Sequence, residues 1–443
     1  VECFLPASYY LSASHFFGPF DDFPLHKDQQ YKIFTDPIHG FIGVPKGQTL
    51  QLLDHPYVQR LRRIRQVGMS YMVFPGAEHS RFSHALGAVG LMIKVLNSLR
   101  DKNTTITNAE YDAMLAAILL HDIGHGPFSH TLEHSLIRDF NHESMTLTMM
   151  QHLNEKFDGK LSLAIEIFTN QHNKAFLHQL ISSQLDIDRL DYIKRDSFYT
   201  GAMEGSIGID RILKTLRVHQ GNIVIERKGI YAIENYIMAR RFMYMQVYLH
   251  KTVISADLML QALIKRARDL IKEGRELPFS SRALRFFIEK YPSAKKGISK
   301  ELMKYYVMLD DNDIIMCIKQ WAGHEDAILS DLCKRFINRR FFRANAMEKV
   351  PSAEEVEQLE EKTARALKQL GLPHDEQAVS YYLHFTQTRN EAYKYKNESI
   401  YILDSNGVAV EFSKAADARH IEALSIPVVK HFAVHLKEIG LDS

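Results

Sequence analysis

Cysteine is scarce: Cys3, Cys317 and Cys333 are the only three among 443 residues. They are too few and too scattered for a disulfide framework, and no pair has zinc-ligand spacing, so a reducing, cytoplasmic setting is expected. An excess of one charge sign is also missing. The 55 Lys and Arg residues against 53 Asp and Glu leave a formal net charge of +2, which provides no global attraction to nucleic acid or membrane surfaces and makes any anion binding local. No apolar run approaches the ~20 residues of a bilayer span. The N-terminus lacks a basic stretch followed by an apolar one, so neither membrane insertion nor secretion is expected. Internal repeats and low-complexity tracts are absent. The chain opens at Val1, and residues 1–30 carry no pattern to which a function is assigned.

What is present is the composition of a globular chain, 46% hydrophobic and 24% charged, at a length that exceeds one ordinary hydrophobic core and suggests two or three domains. The dominant pattern is helical. Asp54 and Pro56 open a helix that runs through Leu61, Ile64 and Val67 to Gly68, and a second starts near Ser83 or His84 and continues to about Leu99. A third is marked by Thr107 and Glu110 in capping-box spacing and leads through Met114 and Ile118 to His121 and Asp122, with Gly124 beyond it. Helical periodicity covers most of Leu161 to Asp196 and resumes from Arg240 to Leu270. Ser352 with Glu355 opens another helix that Gly371 and Pro373 close. Strand character follows at Tyr381 to Phe385, Ser399 to Leu403 and Val408 to Phe412, the last two joined by a hairpin turn at Asp404 to Gly407.

The segment His121 to His130 reads H-D-I-G-H-G-P-F-S-H, three imidazoles and a carboxylate around a helix end and a Gly-Pro turn. Imidazole nitrogen with carboxylate oxygen suits a borderline divalent ion such as Mn, Fe, Co, Ni or Zn, with Mg also open. The adjacent His121 and Asp122 cannot complete a coordination shell, so further ligands have to come from distant segments. His84, in H-S-R-F-S-H, and Asp188, in D-I-D-R-L-D-Y, are the choices. Two histidines and two aspartates leave positions for water and a phosphate oxygen, lower the pKa of that water and neutralise charge developing at phosphorus. The competing readings are capping or surface histidines and structural ion pairs.

At these residues the chain resembles the HD-domain metal-dependent phosphohydrolases, in particular the deoxynucleoside triphosphate triphosphohydrolases related to the vertebrate enzyme with a sterile alpha motif; no such motif is evident here. The resemblance runs through Y-K-I-F-T-D-P-I-H-G (Tyr31 to Gly40), Q-R-L-R-R-I-R-Q-V-G (Gln59 to Gly68), V-F-P-G-A-E-H-S-R-F-S-H (Val73 to His84), the histidine-rich segment and D-I-D-R-L-D-Y-I-K-R-D (Asp186 to Asp196), and more weakly Arg240 to Lys251. It implies a mainly α fold, a helical HD-domain core with a smaller α+β C-terminal module. The division expected is 31–275 for the phosphohydrolase domain, 276–350 for a helical extension and 351–443 for the C-terminal module. It also implies His84, His121, Asp122 and Asp188 as metal ligands, and His125, His130, His142 and Glu143 around the triphosphate in proton transfer or water activation. By the same resemblance Arg81, Arg189 and Arg240 hold phosphate oxygens, Gln66 and Asp196 read the sugar 3′-hydroxyl, and Tyr192 and Tyr248 crowd the ribose. The bland reading of both tyrosines is helix packing.

Lys32, Asp54, Gln59, Arg62, Arg339 and Arg343 match positions that hold a guanine nucleotide activator in regulated members of the family, which implies a nucleotide-activated homo-oligomer, a dimer or tetramer. Read without the resemblance, the arginine clusters are solvated helix faces or a modest nucleic-acid patch. Thr35, Gln246, Glu226 and Leu249 depart from the family pattern at a second regulatory nucleotide and at base contacts, so base preference does not transfer. The expected activity is hydrolysis of a dNTP, dGTPase-like, to deoxynucleoside and triphosphate. The alternatives are a phosphomonoesterase or phosphodiesterase acting on another nucleotide, or a nucleotide-sensing or RNA-binding oligomer; nucleic acid is not the favoured partner.

Overall fold

The computed structural model describes residues 30–390, 393, 399–415 and 426–440. Cys3 and the N-terminal segment, residue 30 excepted, lie outside the described residues. Two helices form the centre. Arg81–Asp101 begins two or three residues earlier than the sequence periodicity places it, because the Ser80 side chain accepts the Ser83 N–H as N-cap. Asn108–Leu120 begins at the expected Thr107/Glu110 box, with both reciprocal bonds formed. From Ala113 to Leu120 every residue is buried, so this part of the helix has no polar face and is enclosed on all sides, while Asn108, Ala109 and Asp112 near its start are exposed. Arg81–Asp101 is, among the described residues, the one helix long and apolar enough to cross a membrane, but 72% of its apolar window is buried inside the protein. It is the core helix.

Several sequence expectations are corrected. Asp54 does not open a helix; it is the C-cap of Gln48–Leu53, and His55 caps the next one, Pro56–Arg60. That helix tightens into a 3₁₀ turn at Leu61–Arg63 and then stops, with Ile64 extended. The backbone beyond is taken by other partners: Arg81 N–H donates to Ile64 O and Gln66 N–H to His79 O, at 2.9 and 3.0 Å. The Leu161 to Asp196 stretch is three helices, Ser162–Phe168, Ala175–Ile181 and Ile187–Thr200. The Arg240 to Leu270 stretch is broken by a π-helical turn at Tyr244–Tyr248 and restarts at a His250 cap as Lys251–Lys272. At Tyr381 the strand starts late, at His384, because Tyr381 and Tyr382 are buried with their hydroxyls bonded to Asp269 and Asp331.

The strands are short. β1 (Tyr31–Asp36) and β2 (Gly40–Pro45) make an antiparallel hairpin, as do β3 (Leu216–His219) and β4 (Asn222–Glu226); neither hairpin was read from the sequence. β5 is Arg343–Met347, β6 is His384–Asn390, and β7 (Tyr401–Leu403) and β8 (Ala409–Glu411) form the expected hairpin, with Gly407 at φ +78°. β4 pairs in parallel with β7, so the C-terminal strands extend the β3–β4 hairpin into a four-stranded sheet. β9 (Val428–His435) lies between β5 and β6, antiparallel to both. The architecture is mainly helical with a smaller α+β C-terminal part. One hydrophobic cluster runs through it from Ile42 to Leu436.

Helix Ile187–Thr200 packs on Arg81–Asp101 at Gly87, where an added Cβ would overlap the Arg195 guanidinium and the Asp191 carboxylate. A glycine in mid-helix costs about 0.5–1 kcal/mol relative to alanine, so its place here answers a need for close approach. At Gly90 the same atom would meet only the Ile42 side chain, at 3.2–3.4 Å. Gly87→Ala is therefore expected to destabilise by about 1–3 kcal/mol or more, and Gly90→Ala much less. Urea denaturation of the two variants checks the order, and equal midpoints would contradict it.

Candidate metal centre and active-site cavity

His84 lies at the fourth position of Arg81–Asp101 and is fully buried. Its Nδ1–H donates to Asp191 Oδ2 at 2.8 Å. His121 is the C-cap of Asn108–Leu120, and its Nδ1–H donates to Ile118 O at 2.6 Å. With each Nδ1 committed as a donor, each neutral ring presents a bare Nε2, and the two Nε2 atoms face one another at 3.2 Å. Asp188 Oδ1 lies 3.1 Å from His84 Nε2 and 3.4 Å from His121 Nε2. Asp122 completes the set, its oxygens 3.8 Å from His84 Nε2 and 3.6 Å from His121 Nε2. Ligands about 2.0–2.2 Å from one ion at right to tetrahedral angles stand about 3–3.6 Å apart; the two imidazoles and Asp188 match this at 3.1–3.4 Å, and Asp122 stands at or just beyond its outer edge, 3.6–3.8 Å from the imidazoles.

Four acceptor atoms in mutual contact repel unless positive charge sits among them, and the electrostatics agree. Burial alone lowers the pKa of His84, yet Asp188 and Asp191 carry it up to about 10. His121 is raised against burial by Asp122 and Asp188. Asp122 and Asp188 are pushed up by burial but held well below the usual carboxylate range, Asp122 by Arg81 and the neighbouring imidazoles, Asp188 by His121 and His84. The donor set, two imidazoles and two carboxylates without a thiolate, fits a divalent cation. All four sequence-predicted ligands come together.

Beside them stand the three other histidines. His125 Nε2 is 3.3 Å from Asp122 Oδ1, its ring stacks on His142 at 4.0 Å, and His130 lies 5.0 and 5.1 Å from the two. Burial and Arg81 hold His125 well below the usual imidazole pKa. The carboxylate that organises this group is Glu133, which accepts from His130 Nδ1 at 3.1 Å and from His142 Nδ1 at 3.0 Å. Glu143 does not join them; it is exposed in the first turn of His142–Lys156. The sequence reading missed Glu133, whose one local sign was its place three residues after His130.

A cavity of about 450 Å³ opens over both groups, lined by Asp122, His125, His130, His142 and Asp188 and walled by Gln66, Tyr192, Asp196, Tyr244 and Tyr248. Arg81 reaches it with one guanidinium nitrogen on Asp122 and its Nε on Ser129 Oγ at 2.8 Å. The rings of Tyr192 and Tyr248 meet edge to face at 6.2 Å. Tyr248 OH donates to Asp196 Oδ2, whose other oxygen accepts from His79 Nε2, both at 2.7 Å. Gln66 Oε1, Arg189 Nε, and Arg240 Nε and Nη1 are buried without a partner among the described residues, polar atoms that a polyanionic or hydroxylated ligand would satisfy. Arg189 is otherwise paired with Asp186, and neither Arg189 nor Arg240 lines the cavity itself.

Of the six residues matched to a regulatory nucleotide, four have linked contacts. Lys32 Nζ lies 3.9 Å from Asp54. Arg62 donates to Gln59 Oε1 at 2.9 Å, and Gln59 donates to Leu53 O. Arg339 instead donates to Met72 O, and Arg343 is exposed at the start of β5. Glu226 is engaged by Arg217 and Lys228.

Residues 81–196 match the HD domain family and residues 207–277 the HD associated region. An uncharacterized protein of Bacillus subtilis, YwfO, is 37% identical over 328 residues, 72% of this chain and 73% of that protein. Human deoxynucleoside triphosphate triphosphohydrolase SAMHD1 is 28% identical over 292 residues, 56% of this chain but 46% of that protein, so the match spans about half of that relative. The crystal structure of a phosphohydrolase from Bacteroides thetaiotaomicron superposes with a TM-score of 0.87 at 42% identity, covering 92% of this chain and 100% of that one. Motif, geometry and relatives agree: the chain belongs to the HD-domain phosphohydrolases.

Proposed function

We propose that the protein is a dNTP triphosphohydrolase, converting a deoxynucleoside triphosphate and water to the deoxynucleoside and inorganic triphosphate. The observation that carries this reading is the coincidence of the His84, His121, Asp122 and Asp188 cluster with a cavity walled by Tyr192, Tyr248 and Asp196. The similarity to proteins named as deoxynucleoside triphosphate triphosphohydrolases supports it. Bound at the cluster, a divalent cation would supply an activated water and neutralise charge at phosphorus. Water adds to the α-phosphorus, the bond to the 5′-oxygen breaks, and that oxygen takes a proton from a histidine of the His125, His130 and His142 group. Glu133 orients two of these three. Arg81, in the cavity wall, holds the phosphates, with Arg189 and Arg240 outside the lining as further phosphate partners, and Gln66 and Asp196 receive the 3′-hydroxyl. Glu143, exposed and outside the cavity lining, has a role away from the reacting atoms.

Asp122→Ala and Asp188→Ala are each expected to abolish turnover and to weaken metal binding by more than about 100-fold. Chromatography of the products, with a metal-by-dNTP matrix, identifies the reaction: intact triphosphate supports the proposal. Orthophosphate or pyrophosphate would indicate a phosphomonoesterase or phosphodiesterase. Steeply salt-dependent RNA binding that survives loss of His121 and Asp122, without turnover, would indicate a binding protein instead.

Tyr192 lines the cavity with a rigid, half-buried ring that would crowd the sugar of a bound nucleotide. Tyr192→Ala is expected to lower the preference for dNTP over rNTP by about 10-fold or more. Unchanged discrimination in kcat/KM would remove the tyrosine from that role.

The exposed Lys32, Asp54 and Arg62 with the half-buried Gln59 support activation by a guanine nucleotide, with Arg339 and Arg343 of another copy completing the site in a homo-oligomer. Addition of GTP or dGTP is expected to raise both dNTP turnover and the mass in solution. A dNTP panel turned over equally with and without either nucleotide, at constant mass, would reject it.

A further inference from the structure

The turn between β1 and β2 reaches the metal centre. His39, at that turn, is buried and its Nε2 lies 2.6 Å from Asp191 Oδ1. The other oxygen of the same carboxylate accepts from His84 Nδ1 at 2.8 Å. Arg195 holds both oxygens, by Nε at 2.8 Å and Nη2 at 3.0 Å. Its Nη1 donates to Asp36 Oδ2 at 2.8 Å, while Asp36 Oδ1 accepts the Ile38 and His39 backbone N–H groups, both at 2.9 Å. The residue that shapes the turn is thus the one that ties it to Arg195.

From this arrangement we propose that His39 is a positioning residue for His84, and that the β1–β2 hairpin, through His39 and Asp191, clamps the imidazole in the tautomer and ring angle that present Nε2 to a metal ion. Arg195 already neutralises Asp191, so charge balance alone leaves His39 unexplained. Its bond has a geometric consequence. With His39 and Arg195 both on Oδ1, the plane of the carboxylate is set, and Oδ2 stands where His84 Nδ1–H must point. Loss of the His39 bond frees the carboxylate to turn toward the guanidinium, and His84 then loses its fixed orientation. Partners that orient a ligating histidine in this way typically contribute 10–100-fold in metal affinity.

The same connection runs in the other direction. Linkage is reciprocal, so a metal ion that needs His84 in this orientation stabilises the hairpin that enforces it. β1 also carries Lys32, paired with Asp54 on the surface.

The proposal rests on His84 as a metal ligand and not on which nucleotide is hydrolysed, and its test reads the metal. Mn²⁺ is titrated by calorimetry into metal-depleted full-length protein. His39→Ala is expected to weaken Kd by about 10–100-fold, and His39→Gln, whose terminal N–H can still reach Asp191, to recover most of the loss. A purely structural His39 would lower the melting temperature of the metal-depleted protein and leave the Mn²⁺ Kd unchanged. That result in folded His39→Ala overturns the clamp. In the wild type, Mn²⁺ is expected to slow amide exchange at Ile38, His39, Gly40 and Phe41. No slowing overturns the proposal even if His39→Ala does not fold. Undiminished Mn²⁺ affinity in His84→Ala would remove the ligand reading, and the clamp with it, whereas undiminished affinity in His39→Ala removes the clamp alone.

Discussion

The carboxylate of Asp191 accepts four N–H bonds from three segments, the β1–β2 turn, helix Arg81–Asp101 and its own helix. It has no exposed surface. Removing one charge from water costs several kcal/mol even after relaxation, and bonds to charged partners return roughly 1.5–3 kcal/mol each, so the site is stable only while nearly all of them are made. This constraint has visible effects on the rest of the fold. It requires Gly87 opposite the cluster, it brings the β1–β2 turn into the interior, and it fixes the tautomer of His84. Asp191 is held well below the usual carboxylate range despite burial, by Arg195, His39 and His84.

Around that fixed point the protein assembles a graded set of titratable groups. The ligand cluster gathers negative charge and lone pairs, which favours a cation at its centre. The neighbouring trio is different: His125 is kept neutral by burial and by Arg81, while Glu133 organises His130 and His142 from behind. Asp122 touches both groups, through His121 on one side and His125 on the other. The two groups thereby meet at a single carboxylate. Among the described residues, polar atoms of Gln66, Arg189 and Arg240 are buried without a partner, which is costly in a folded protein.

The helical pattern was legible wherever the local signal was self-contained. The Thr107/Glu110 and Ser352/Glu355 boxes and the Asp404 to Gly407 turn form as read, because capping and turn chemistry is satisfied within a few residues. Asp54 to Gly68 misled for the opposite reason. Its apolar spacing suits a helix, but Ile64 and Gln66 spend their backbone groups on Arg81 and His79, far along the chain. The β1–β2 and β3–β4 hairpins escaped notice because they are short and half-exposed, with little alternation to reveal them.

The sequence alone determined the chemical vocabulary of this protein: a histidine and aspartate motif dense enough to imply a cation, acidic segments to complete it, and a resemblance that named the family. Those features are read from neighbouring residue types and their spacing. The tertiary structure decided which of the many histidines and carboxylates meet. It placed Glu133 rather than Glu143 behind the histidine trio, bonded both His84 and His39 to Asp191, and joined Asp196 to His79 and Tyr248. Such choices depend on contacts between residues as much as 152 positions apart, and it is the packing of helices, with every buried polar group requiring a partner, that selects them.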